Sequence, residues 1–171
     1  MWLPPPLPSR CFKSNRNGGE HHHILKASLV WSVPKPEKVI AVAMRRCYST
    51  KPIEEIEAEL EQKGPEYWKY LMTRALQDKS LDVIKHFVFS IVIDGMGEDE
   101  AGRLALAFPY VRLLHIREGR WLISMNARTL IEIWRGKAFV GFAEAIVEEF
   151  DRKDVCPIFN SLVFGERARA S

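Results

Sequence analysis

Two short segments carry the side chains best suited to chemistry. His86 precedes the apolar run 87–93, where an imidazole can titrate near neutral pH or present one ring nitrogen to a ligand. Asn126-Ala127-Arg128-Thr129-Leu130 closes a strand-like run and opens a helical one. Asn126 offers both donor and acceptor groups, and Arg128 a planar fork suited to phosphate or carboxylate. A helix that starts directly after a strand adds free backbone N–H groups, which also favour anions. Each residue has a plain reading beside the chemical one. His86 can be a strand-entry histidine bonded to nearby backbone, Asn126 a helix cap, and Arg128 the partner of an acidic neighbour. Residue type and spacing leave both readings open.

The remaining chemistry is sparse. Cys11, Cys47 and Cys156 are odd in number and widely spaced, so neither a disulfide framework nor a zinc site is expected, and a reducing cytoplasm is the natural compartment. Cys47 falls on the apolar side of a predicted helix, where a small buried hydrophobe is expected. His21-His22-His23 reads as a solvated tract rather than a metal site, because adjacent side chains at a strand entry diverge. No metal is expected. There is no Gly-rich phosphate loop, GxSxG or HExxH, and Gly95-Met96-Gly97 is too short and runs into acids. No side chain is an evident catalytic nucleophile.

These residues need elements to position them. Residues 26–33 alternate as a first strand, and Pro34 and Pro36 then open a helix with Ile40, Ala43, Met44 and Cys47 on one stripe. Thr50 is the expected cap of a second helix carrying Ile53, Ile56 and Leu60, which Gly64-Pro65 breaks. A third helix buries Trp68, Leu71, Met72, Ala75 and Leu76. Ser80 starts a short helical turn that delivers His86 to the strand 87–93, whose two faces are both mostly apolar, as in a strand covered on both sides. Residues 98–108 read as a helix with Ala101, Leu104, Ala105 and Phe108 inward. Residues 111–116 and 121–125 read as a hairpin. Arg128 opens another helix, Phe139, Phe142, Ile146 and Phe150 lie on a last long one, and 158–164 follows as an apolar tail. The order predicts an α+β (mixed α/β) fold: a central, mainly antiparallel sheet flanked by helices.

Composition agrees with one domain. The 171 residues are 47% hydrophobic and 27% charged, within the range of an ordinary globular protein, and no apolar run approaches the roughly 20 residues of a membrane helix. The expected boundaries are a loose proline-rich tail over 1–23, a domain over 24–165 and a loose end over 166–171. The net charge of +3 sits partly at the ends of the chain, so nucleic acid is not an expected partner.

Three segments, in order, resemble the flavin-dependent thymidylate synthases (the ThyX family). Ala43-Met44-Arg45-Arg46-Cys47-Tyr48-Ser49 is similar to that family's Ala-x-Arg-x-Cys-Tyr-Ser. Val83-Ile84-Lys85-His86-Phe87-Val88-Phe89-Ser90 resembles its Val-Leu-Glu-His-x-x-Phe-Thr. Asn126-Ala127-Arg128-Thr129-Leu130 resembles its Asn-x-Arg-Ser-Leu. The match spans about residues 26–160. It implies a ThyX-like fold in which His86, Ser90, Asn126 and Arg128 bind flavin adenine dinucleotide (FAD). Arg103 and Arg135 or Lys137 would bind the deoxyuridylate (dUMP) phosphate. The activity implied is methylation of dUMP to thymidylate with methylenetetrahydrofolate and NADPH, in a homotetramer.

The family's Arg-His-Arg and Ser-x-Arg-Tyr region is missing, and Gly97-Glu98-Asp99-Glu100 stands in its place. Each charge-assisted bond lost removes roughly 1.5–3 kcal/mol, and three or four such losses weaken binding by several powers of ten. The expectation is therefore a degenerate nucleotide and flavin site. The alternative is a non-catalytic flavin- or nucleotide-binding relative, or a subunit of a hetero-oligomer with a full-length homologue, with Phe159, Leu162 and Phe164 available either for the core or for an interface.

Overall fold

A computed structural model describes residues 24–165. The tail expected over 1–23, with Cys11 and His21–His23, and the end expected over 166–171 lie outside the described residues. The fold is α+β, built on a four-stranded antiparallel sheet of order β1-β2-β4-β3. The strands are β1 (Lys26–Ser32), β2 (Val88–Asp94), β3 (Arg112–Arg117) and β4 (Arg120–Asn126). Helices α1 (Pro36–Cys47), α2 (Ile53–Lys63) and α3 (Pro65–Gln77) separate β1 from a 3-10 helix, Leu81–His86, that leads into β2. Then come α4 (Glu98–Ala107), the β3–β4 hairpin, α5 (Ala127–Gly136), α6 (Val140–Arg152) and α7 (Pro157–Phe164). Gly119 turns the hairpin at φ 68°, a conformation that favours a residue without Cβ. Among the described residues no helix is long and apolar enough to cross a membrane.

One face of the sheet makes the core. Phe89, Ile91 and Ile93 of β2 point the same way as Ile123 and Met125 of β4, and all are buried. Phe150 of α6 meets them, with its ring 4.9 Å from Phe89 edge-on and 5.5 Å from Phe87 stacked. Phe159 of α7 meets Phe87 edge-on at 5.6 Å. Two buried carboxylates tie these layers. Glu149 of α6 accepts the Leu29 N–H of β1 at 2.9 Å, and Glu37 of α1 accepts the Phe159 N–H at 2.8 Å.

Several expectations change. β2 is central, but it is covered on one side only: Val88, Ser90, Val92 and Asp94 are exposed or half-buried. Its second apolar face misled the reading, since valines on a solvated sheet look like valines in a core. Cys47 is exposed, because the buried stripe of α1 runs through Ile40, Ala41 and Met44 and passes it by at the helix's last turn. Thr50 does not cap α2; Pro52 occupies the N-cap, and Ile53 is half-exposed while Ile56 and Leu60 are buried. Ala105 of α4 faces solvent. The apolar tail is a helix, α7, whose Phe159 and Phe164 are buried in the core.

Candidate functional site

The pairing of β2 with β4 sets Val88 opposite Asn126, and the Ala127 N–H donates to the Phe87 carbonyl at 2.8 Å. This junction brings the 3-10 helix beside the start of α5. Asn126 is the N-cap of α5. Its Oδ1 accepts from the Thr129 N–H at 3.0 Å and from the Thr129 hydroxyl at 3.3 Å. That leaves its amide N–H₂ free of the cap. Arg128 donates from Nη1 to Asp82 Oδ1, and from Nε to Glu132 Oε1 at 3.1 Å. Lys85 Nζ also reaches Asp82 Oδ1 at 2.8 Å. Lys85 first, and Arg128 after it, hold the Asp82 carboxyl below its ordinary range. The plain reading of Asn126 and Arg128 is therefore realised, and it coexists with a small cavity.

That cavity is about 200 Å³ and is lined by Lys85, Tyr110, Asn126, Arg128, Thr129 and Glu132. His86 is exposed next to it in the chain and does not line it. Ser90 lies on the uncovered sheet face one inter-strand step from Ser124, with the two hydroxyl oxygens 2.7 Å apart. His86, Ser90, Asn126 and Arg128 thus gather at one end of the β2–β4 pair. A volume of 200 Å³ suits a phosphate or pyrophosphate, and falls below the roughly 300–1,000 Å³ of a site that encloses a whole small molecule. Two cations facing two carboxylates also leave the corner near neutral, so an incoming phosphate must displace Asp82 or Glu132 from Arg128. The residues fit the phosphate end of a flavin dinucleotide and offer no enclosure for its ring.

Arg103, Arg135 and Lys137 lie elsewhere. β2 carries the chain about 20 Å from Val88 to its far end, where Gly95 and Gly97 border a cleft of about 760 Å³. Arg103 lines this cleft. α5 runs back along the sheet and leaves exposed Arg135 near its end and Lys137 at its C-cap, next to cleft-lining Ala138. Asp99, Glu100, Glu144 and Glu148 outnumber Arg103 there, so the larger cavity repels the dianionic phosphate that Arg103 was expected to bind. Among the described residues no group of His, Cys, Asp and Glu is arranged to hold a metal ion.

Sequence reasoning did not single out Asp82, Lys85, Tyr110 or Glu132 as site residues. The i,i+4 spacing of Arg128 and Glu132 carried a signal for one pairing. Nothing local pointed to Asp82, 46 positions away. Comparison of the chain with protein-family models, with curated proteins and with solved structures returns no match.

Proposed function

We propose that this chain is a reduced relative of the flavin-dependent thymidylate synthases. In this reading it binds the phosphate portion of FAD or of a related nucleotide at the Asn126–Arg128 corner, and acts as a non-catalytic, subunit-forming protein. The observation that carries the reading is convergence. Residues from two of the three matched segments, far apart in the chain, meet at one end of the β2–β4 pair around a single small cavity. Of the expected dUMP-phosphate ligands, Arg103 stands about 20 Å off in an acidic cleft, and Arg135 and Lys137 lie roughly 10 and 14 Å along α5 from Arg128. One protomer therefore holds half of a site. Methylation of dUMP with methylenetetrahydrofolate and NADPH would need the other half from a second chain.

The test is titration of the purified protein with FAD, with and without dUMP, followed by absorbance and flavin fluorescence. Saturable micromolar binding is expected, weakened roughly tenfold or more by Arg128→Ala. His86→Ala should alter the bound flavin spectrum, and no dUMP-dependent NADPH oxidation should appear. Absence of binding at tens of micromolar, or binding indifferent to both substitutions, would remove this reading.

A further inference from the structure

Strand register lays out the uncovered face of the sheet in rows across β1-β2-β4-β3. They read Lys26, Asp94, Arg120, Arg117; then Ser28, Val92, Leu122, Leu114; then Trp31, Ser90, Ser124, Arg112. None of these residues is buried, and Trp31 and Leu114 are 52% and 61% exposed. Val88 extends the patch at one end. Val30 and Ile116, at the two strand bulges, extend it at its edges. An apolar band this broad, rimmed by cations, marks an association surface.

We infer that this face packs against a second copy of the chain, about a twofold axis that runs parallel to the strands between β2 and β4. The inference goes beyond the proposed function and holds whether or not the corner binds flavin. Area is the first argument. The five exposed apolar residues alone offer roughly 500 Å², against about 800 Å² per partner in a standard interface, and Val92, Leu122 and the rim add to this.

Complementarity is the second argument, and it selects the axis. With β1 lying over the second copy's β3, Asp94 faces the partner's Arg120 and Trp31 faces the partner's Arg112 as a cation–π pair. Val92 meets the partner's Leu122 beside the axis, and the Ser90–Ser124 row straddles it. An axis across the strands would instead bring Arg117 over the partner's Arg112 with no acid between them, while Asp94 stays on Arg120 of its own chain at 3.4 Å. A like-charge approach remains between Lys26 and the partner's Arg117, made twice by the twofold axis. It falls at a corner of the sheet, where packed sheets rotated by about 30° splay long side chains into water.

Sedimentation equilibrium of the purified 171-residue chain over a concentration series tests this. A reversible dimer, or a larger assembly built from it, is expected. Leu114→Glu should raise its dissociation constant at least tenfold with an unchanged circular dichroism spectrum and, at concentrations where both chains are monomeric, an unchanged melting temperature. Tyr70→Glu, on exposed α3, should leave association as it is. The axis is tested by a double-mutant cycle of Trp31→Ala and Arg112→Ala. Within one chain these residues lie on opposite edge strands, about 14 Å apart, too far to touch. Coupling of about fivefold or more in the dissociation constant supports a contact between copies. Additive effects overturn the axis. A monomer at tens of micromolar overturns the interface, as it would be if the face served an acidic protein or a nucleic acid instead. A failed FAD titration leaves the association result untouched.

Discussion

Arg128 is shared between Asp82 and Glu132, and this pairing sets what its corner can bind. Exposed ion pairs are weak, so an incoming phosphate can displace one, but the competition lowers affinity. Asp82→Asn removes one competitor while leaving Lys85 and Arg128 in place. Affinity for FAD should rise roughly two- to fivefold by fluorescence titration. Unchanged or weaker binding would mean that Asp82 orients Arg128 more than it competes for it. Asn126 is committed in a different way. Its carbonyl oxygen caps α5, so only its amide N–H₂ can meet a ligand, and a substitution there would perturb the helix as well as the site.

At the scale of elements, the ends of helices and the edges of strands are satisfied by carboxylates from elsewhere in the chain. α7 has no side-chain cap of its own, and Glu37, 122 positions earlier, accepts its Phe159 N–H. Burial pushes the Glu37 carboxyl above its ordinary value, against the N–H bonds from Phe159 and Ile158 that lower it. The folded state therefore holds this proton more tightly than the unfolded chain does. This contribution is fully present below the ordinary carboxylate range, and is lost as pH rises through the raised value. Glu37→Gln keeps the acceptor without the charge and should flatten stability over the mildly acidic range. Glu37→Ala leaves a buried N–H unpaired and should cost about 1–3 kcal/mol. Urea unfolding of both variants at pH 5 and pH 8 measures the two effects; identical pH profiles for Glu37→Gln and the parent chain would discard the linkage. Glu149 has the opposite sign. Burial raises its carboxyl, but the Leu29 N–H and Arg152 together outweigh burial and lower it, so its contribution disappears as pH falls.

At the scale of the molecule, helices cover one side of a four-stranded sheet, and Phe150 is where helix and sheet interlock. Phe150→Ala should cost about 3–5 kcal/mol, because the rings of Phe87 and Phe89 cannot both close the gap. A thermal unfolding series by circular dichroism checks this, and a loss under about 1 kcal/mol would place the packing centre elsewhere. The other side of the sheet carries the basic row and the apolar band, while the acids gather in the cleft around Asp99, Glu100, Glu144 and Glu148. A net charge of +3 hides this separation.

The sequence by itself determined the strands, the helices before the last and their order, the α+β class, and Asn126 as one candidate cap. These features are written within a few neighbouring residues: Ile56 and Leu60 one helical turn apart, a glycine at the hairpin, an Asn where a strand becomes a helix. The tertiary structure decided what no local pattern holds. Only packing chose which face of β2 is covered, left Cys47 in solvent, and turned the apolar tail into a buried helix capped by Glu37. It also separated Arg103 from Arg128 and gave Arg128 its partner Asp82. The physical reason is that burial and charge pairing are set by the nearest surface in space, which the folded chain assembles from residues far apart in sequence.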